Sequence, residues 1–196
     1  MVFDYCKRFP AVQVECRDIF SNLQNESLRR NEIDVGFLRP PVDQAVLDCE
    51  LLFEENFVVV LPKGHRLAKR RSLRLKDVAD EPLIVFDRSF SSGLYDKILG
   101  LYSRQGLTPH LTVTHAEAHE ESGAIMVASG KAIFLGAGAI VNRSVSGLEL
   151  AWVRLDEPEA KIEVYAAWRK GEEAPAVLTF LDSVRRVFKS PARQIA

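Results

Sequence analysis

The chain contains 196 residues, 47% of them hydrophobic, with 26 basic and 27 acidic side chains and a formal net charge of -1. This hydrophobic content suffices for one large domain or two small lobes, each with its own core. The near-zero net charge excludes an overall positive field that would hold nucleic acid or an anionic membrane, so we expect neither to bind this chain directly.

The cysteines and the first residues indicate a reducing compartment. Cys6, Cys16 and Cys49 form no C-x-x-C pair, which argues against a disulfide framework and against a thiolate metal site. The opening residues MVFDYCKRFP lack the apolar core of a secretory signal, and no apolar run approaches the ~20 residues needed to span a bilayer. We therefore expect a cytoplasmic protein without membrane contact.

Helical and strand patterns alternate at the start of the chain. Apolar residues recur at helical spacing over residues 2–9, and alternate with polar ones over residues 12–16. A capped helix is expected over residues 21–30, followed by an alternating strand over residues 33–37. These elements predict a β-α-β unit with parallel strands.

The most informative stretch runs from residue 57 to residue 86, where two apolar strands flank a solvent-facing turn. Residues 57–61 form a continuous apolar run that Pro62 ends, which is typical of a strand buried on both faces. A short helix is predicted over residues 75–79, and a second apolar run follows over residues 83–86. The two strands need not lie in the same sheet, so we expect the chain to change lobe near residue 62.

The second half of the chain continues the alternation. The pattern predicts, in order, a helix through residues 94–102, a strand at 111–113, a helix at 117–129, a strand at 132–135, alternating strands at 148–152 and 162–168, and a helix from Pro175. We therefore predict a discontinuous lobe I, residues 1–62 plus 153–196, and an inserted lobe II, residues 63–152.

Five short segments of the chain occur in a recognisable order. They are IDVGF at 33–37, FVVVLPKGHRLA at 57–68, LRLKDVADEPLIVF at 73–86, VASGKAIFL at 127–135 and VYAAWRK at 164–170. Together they resemble the effector-binding domain of LysR-type transcriptional regulators over nearly the whole chain. The resemblance implies an α/β fold with two Rossmann-like lobes joined by two crossover strands, of the type 2 periplasmic-binding-protein-like kind.

The resemblance also implies partners. Family members begin with a winged helix-turn-helix, a linker helix and a first strand of lobe I, whereas this chain opens at the helix after that strand. DNA would then be bound only through the missing N-terminal domain. Dimers would pair the helix at 2–9 with the helix at 117–129 of a second copy, antiparallel, and tetramers would form through the absent parts.

Two further details bear on the ligand. SNLQNESL at 21–28 together with IDVGFLRP at 33–40 is similar to the branch of the family that senses aromatic-degradation intermediates such as muconate or benzoate. In VASGKAIFLGAG, Ala132 and Gly136 stand where the family usually has glycine and proline. This departure implies a looser, differently shaped pocket rim.

The residues themselves predict where a ligand binds. In open α/β sheets, ligands lie beyond the carboxyl ends of strands, where helix N-termini offer free N–H groups that suit a carboxylate. We expect a small anionic effector, aromatic or dicarboxylic, in the cleft between the lobes. The candidate ligand-binding residues are Ser21, Asn22, Arg39, Ser91, Ser92 and Gly93. The alternative is that the serines are ordinary helix caps and Arg39 a solvated loop residue.

Catalytic and metal-binding patterns are weak. His115 and His119 lie four apart beside Glu117, but the spacing is not H-E-x-x-H and no third ligand is evident. No nucleophile elbow, dinucleotide fingerprint or phosphate loop occurs, so we predict no enzyme activity, no metal and no cofactor. The alternative function is a free-standing solute-binding protein of a transport system, which shares the two-lobed plan.

A run of basic residues follows the first crossover. Lys69, Arg70, Arg71 and Arg74 are followed by Asp77, Asp80 and Glu81. Because charges of both signs lie close together, the run is predicted to be a solvated face and not a nucleic-acid contact.

Overall fold

Helices and strands alternate along the chain in a mixed α/β architecture. The computed structural model describes residues 1–114, 120–137 and 147–188. The helices are α1 (Val2–Arg8), α2 (Ser21–Arg29), α3 (Ser92–Arg104), α4 (Glu120–Ala128) and α5 (Pro175–Phe188), with a short 3-10 helix at Leu75–Asp77. The strands are β1 (Gly36–Leu38), β2 (Leu47–Pro62), β3 (Ser72–Leu73), β4 (Pro82–Phe86), β5 (His110–Thr114), β6 (Ile133–Ala137), β7 (Leu150–Leu155) and β8 (Lys161–Arg169).

The eight strands are hydrogen-bonded in the order β1-β8-β2-β6-β4-β5, with β7 pairing with both β2 and β3. Strand β4 is parallel to β5 and to β6, whereas β2 is antiparallel to β6 and to β7. Strands β4 and β6 read as continuous apolar runs, as expected where both faces are covered, whereas β5 alternates apolar and polar residues.

The chain divides into two compact units, which differ in their limits from the predicted lobes. Unit 1 contains Met1–Phe53 and Glu163–Ala196, and unit 2 contains Glu54–Ile162. Both limits fall inside long strands, β2 and β8, because β2 begins at Leu47, well before the apolar run that the sequence pattern detects. The apolar runs at 57–61 and 83–86 both lie in unit 2 and share a sheet in which β6 separates them.

The core of unit 2 forms around its parallel strands. Helix α3 buries one stripe, at spacings of three and four residues, because its apolar positions recur at that period. The stripe packs in a cluster with side chains from β2, β4 and β6. The fully buried members include Phe57, Val59, Leu61, Leu83, Ile98, Tyr102 and Leu135.

Tyr102 leads to a first prediction. Its hydroxyl is buried and has no hydrogen-bond partner among the residues that the structure describes, and burial raises the pKa of Tyr102 to about 12 from the ordinary 10.0. Tyr102→Phe should therefore raise the free energy of unfolding by about 1 kcal/mol in urea denaturation at pH 7.

The pH dependence supplies the check on Tyr102. Between pH 10 and pH 12 the unfolded chain loses this proton while the folded chain keeps it, so wild-type stability falls as pH rises. The phenylalanine variant lacks this loss, and its advantage should widen above pH 10. If Tyr102→Phe were no more stable than the wild type, both at pH 7 and above pH 10, the result would contradict a buried hydroxyl without a hydrogen-bond partner.

The structure of unit 1 differs from the prediction at residues 12–16, where a strand was expected. Residues 12–16 form no strand, although their apolar side chains alternate with exposed polar ones, because no neighbouring strand provides a ladder in the part of the chain that the structure describes. The predicted parallel β-α-β unit is therefore wrong. Strand β1 instead pairs antiparallel with β8, with Phe37 opposite Ala166.

Helices α1 and α5 close unit 1. The Tyr5 side chain is 1% exposed, and its hydroxyl donates a hydrogen bond to the carbonyl oxygen of Ala176 at 2.8 Å. Its ring meets Phe180 edge-on at 5.1 Å between centroids. None of the described helices combines the length and the apolar character needed to cross a membrane.

Candidate functional site

The first turn of α2 is organised differently from the predicted cap. Phe20 is the N-cap residue and no side chain makes a capping hydrogen bond, while Ser21 is already the first helical residue. The Ser21 hydroxyl oxygen instead accepts a hydrogen bond from the backbone N–H of Arg39, at 3.1 Å. The first turn contains no acidic residue, so the positive end of the helix dipole faces no negative side chain of its own turn.

Two amide side chains of α2 fix the chain that follows β1. The side-chain nitrogen of Gln24 donates to the carbonyl oxygens of Ile19, at 2.8 Å, and Phe37, at 3.1 Å. Asn25 donates to the carbonyl oxygen of Pro41, at 3.0 Å. Since positions three and four residues apart share a helix face, Ser21, Gln24 and Asn25 together anchor the segment that carries Arg39.

Sequence reasoning missed Gln24 and Asn25. The available signal was polar residues at spacings of three and four behind Ser21, on the face turned towards β1. Gly36 belongs to the same arrangement, because a Cβ there would lie 2.7 Å from Oε1 of Gln24. A larger residue at this position would displace the Gln24 amide from its present place.

Arg39 lies directly after β1 and is half-buried, with its Nε atom inaccessible to solvent. Its position beside the start of α2 combines a guanidinium-bearing residue with a helix N-terminus. Both features favour a negatively charged group.

The start of α3 in unit 2 is the second candidate. Ser91 is the N-cap residue, and its side chain makes no capping hydrogen bond, although its carbonyl oxygen accepts the N–H of Tyr95 at 3.0 Å. Ser92 and Gly93 form the first turn of α3, which also lacks an acidic residue. All three candidates are half-buried. The alternative role, an ordinary capping serine, is therefore not observed at Ser91.

The loop between β4 and α3 is held by charged contacts. Arg88 donates to both carboxylate oxygens of Asp96, at 2.8 and 2.7 Å, and its guanidinium lowers the pKa of that carboxyl group. Asp87 accepts hydrogen bonds from the backbone N–H and the hydroxyl of Ser89, at 2.8 and 2.6 Å. These bonds fix the loop against the first half of α3.

The six predicted residues thus fall into two sets. Ser21, Asn22 and Arg39 lie in unit 1, and Ser91, Ser92 and Gly93 follow the carboxyl end of β4 in unit 2. Strands β5 and β6 also present their carboxyl ends on this side of the parallel sheet, but lead into residues 115–119 and 138–146, which lie outside the described residues.

Within the described ranges, no three or more His, Cys, Asp and Glu side chains come together as a metal site. His115 and His119, the pair that the sequence singled out, lie outside the described residues.

Comparison with known proteins gives a consistent result. The model of the LysR substrate binding domain matches residues 2–189. The HTH-type transcriptional regulator YnfL of Escherichia coli is 30% identical over 173 residues, which is 88% of this chain and 57% of the relative. AlsR of Bacillus subtilis is 28% identical over 181 residues, 92% of this chain and 59% of the relative. The chain spans about three fifths of the length of these regulators.

Solved structures show the same fold. The BenM effector-binding domain with its effector benzoate has a TM-score of 0.81 and 24% identity, covering 96% of this chain and 84% of that one. The regulatory domain of Synechocystis CcmR in complex with 2-PG has a TM-score of 0.80 and 19% identity, covering 97% and 90%. The predicted mixed α/β fold of the periplasmic-binding-protein-like type is therefore confirmed.

Proposed function

Because this chain belongs to the LysR substrate-binding domain family, we propose that it senses a small anionic effector for a transcriptional regulator. The named relatives are transcriptional regulators and not enzymes, so the ligand is bound and not consumed. Of the relatives, BenM has been crystallised with benzoate, which is a carboxylate. We infer an aromatic or dicarboxylic acid as the effector class here.

The contact between Ser21 and Arg39 carries this proposal. This bond comes from the backbone N–H of Arg39 and holds the residue beside a helix start that has no acidic residue in its first turn. We infer that the guanidinium and the N–H groups of that turn bind the carboxylate together. The start of α3, with Ser91, Ser92 and Gly93, offers a second set of hydroxyl and amide donors.

A thermal-shift screen tests the chemical class. Benzoate, phthalate and aliphatic dicarboxylates should include acids that raise the melting temperature, because a ligand that binds only the folded state stabilises it. Benzamide, which matches benzoate in shape without its charge, should not. Equal shifts by matched acids and amides would contradict the anionic assignment.

Two variants then test the residues. Arg39→Gln and Ser92→Ala should each weaken calorimetric affinity for the strongest acid, by about 10- to 100-fold for the arginine, since a charge-assisted hydrogen bond contributes about 1.5–3 kcal/mol. Arg186→Gln and Ser103→Ala change exposed residues of the same types and should leave affinity unchanged. Unchanged affinity in both site variants would refute the site.

We further propose that the effector acts through the geometry of a homo-oligomer, with α1 of one copy antiparallel to α4 of another. Each helix presents a large apolar side chain to solvent, Phe3 at 68% exposure and Ile125 at 58%. A partner helix that covers both side chains would remove this apolar surface from water. A ligand that favours one arrangement of the copies would pass its signal to a DNA-binding domain outside this chain.

The pairing predicts a change of assembly. Phe3→Asp and Ile125→Asp should each convert dimers to monomers in sedimentation velocity, because each buries a charge in the proposed interface. Leu178→Asp is the matched control, since Leu178 is 41% exposed on α5 and takes no part in the pairing. Dimers that persist in both interface variants would exclude this arrangement.

A further inference from the structure

Residues 69–76 form a basic segment that carries five exposed cationic side chains. They are Lys69, Arg70, Arg71, Arg74 and Lys76. Within the part of the chain that the structure describes, none of these side chains forms an ion pair. Other exposed arginines, such as Arg88 and Arg154, do contact a carboxylate, at 2.7 and 3.1 Å.

Asp77 and Glu81, which follow the segment in sequence, form no ion pair with its cationic side chains. Asp77 accepts the backbone N–H of Arg74, at 2.8 Å. Glu81 lies 2.9 Å from Nη2 of Arg66 and 3.3 Å from Nε2 of His65. The carboxylate of Glu157 also accepts a backbone N–H of the segment, that of Leu75, at 2.9 Å. Two carboxylates thus lie against the backbone, while the five cationic side chains extend from it without an ion pair among the described residues.

The backbone of the basic segment is firmly anchored. Leu67, Leu73 and Leu75 are 4%, 1% and 0% exposed and lie in the core of unit 2. Strand β3 pairs with β7, and the carbonyl oxygen of Leu73 accepts the N–H of Asp156 at 2.7 Å. The cationic side chains thus project from a fixed backbone, which lowers the entropy cost of binding a partner.

We propose that the basic segment binds the phosphate backbone of double-stranded DNA. Guanidinium groups match phosphate oxygens two at a time, and duplex DNA presents one negative charge per ~1.7 Å of axis, dense enough to engage several closely spaced cations together. Phosphate contacts carry no sequence information, so the proposed contact positions DNA and does not select a sequence. The net charge of -1 averages over the whole surface and does not describe this segment.

Fluorescence anisotropy with a labelled 20-base-pair duplex of arbitrary sequence tests the proposal on the intact chain. Binding should appear at low salt, about 25 mM NaCl, and weaken steeply up to 150 mM. The triple variant Arg70→Gln, Arg71→Gln, Arg74→Gln should lose affinity by about tenfold or more. The negative slope of log K against log salt should become less steep, by roughly 2.5.

Matched variants separate the effect of charge in the basic segment from the effect of the net charge of the chain. Lys131→Gln, Lys170→Gln, Arg186→Gln removes the same charge from exposed positions elsewhere and should bind as wild type. The charge-conserving triple variant Arg70→Lys, Arg71→Lys, Arg74→Lys should keep most of the affinity. No binding at the lowest salt, or equal losses in both glutamine triples, would overturn the proposal. Competition by polyglutamate as strong as that by unlabelled DNA would also overturn it, in favour of an acidic protein partner.

Discussion

Leu83→Ala is expected to lower the free energy of unfolding by about 2 to 5 kcal/mol. Leu83 is fully buried in β4, where it lies opposite Leu111 of β5 and Ile133 of β6. Truncation removes buried methyl groups and leaves a cavity between strands that cannot collapse, because both neighbours are hydrogen-bonded to β4. Urea denaturation monitored by far-UV circular dichroism measures the loss.

Leu178→Ala is the control for this prediction. It makes the same chemical change on α5 at a side chain that is 41% exposed, and should alter stability by no more than about 0.5 kcal/mol. Similar losses in the two variants would show that β4 is not the centre of a packed core. The result matters for function, because β4 positions the loop that leads to Ser91.

Arg169→Met should produce the second large effect, a loss of about 2 to 4 kcal/mol. Arg169 ends β8 and donates to the carbonyl oxygen of Ile33 at 2.7 Å. It also contacts the carboxylates of Asp34, at 2.9 Å, and Glu172, at 3.0 Å. The Glu172 side chain is only 9% exposed, so the variant leaves a buried carboxylate without its cation.

A double-mutant cycle identifies the cause of that loss. Glu172→Gln combined with Arg169→Met should recover part of the stability, because the unpaired charge is then absent. Arg154→Met breaks an exposed pair with Asp156 and should cost at most about 0.5 kcal/mol. A loss in Arg169→Met no larger than in Arg154→Met would mean that the Arg169 contacts contribute nothing beyond surface pairing.

Elements with strong periodicity could be predicted from the sequence. Helices α1, α3 and α5 have apolar residues at spacings of three and four, and each lies where this pattern placed it. Strands β4 and β6 were visible because residues buried on both faces read as continuous apolar runs. In these elements, local pattern and tertiary burial agree.

The secondary-structure predictions that failed did so because strand formation also depends on tertiary contacts. Residues 12–16 alternate like a strand, but a strand also needs a hydrogen-bonding neighbour, which a local pattern cannot reveal. The first half of β2, Leu47 to Asn56, was missed because charged and apolar residues mix there without a period. Its burial depends on which elements pack against each face.

The candidate site was predictable only in part. The sequence located Ser21, Arg39 and the serines of α3 at strand and helix ends and predicted them as ligand-binding residues, with helix capping as the alternative role of the serines. The hydroxyl of Ser21 is used by Arg39, and Gln24 joins two carbonyl oxygens that are far apart in sequence. Such bonds depend on the approach of α2 to β1, where a Cβ at Gly36 would lie 2.7 Å from Oε1 of Gln24.

A crystal structure of this chain with the acid that gives the largest thermal shift would locate the effector. We expect carboxylate oxygens about 2.7–3.1 Å from backbone N–H groups in the first turn of α2 or α3, with Arg39 or Ser92 as a side-chain donor. A carboxylate bound away from both helix starts would contradict this expectation.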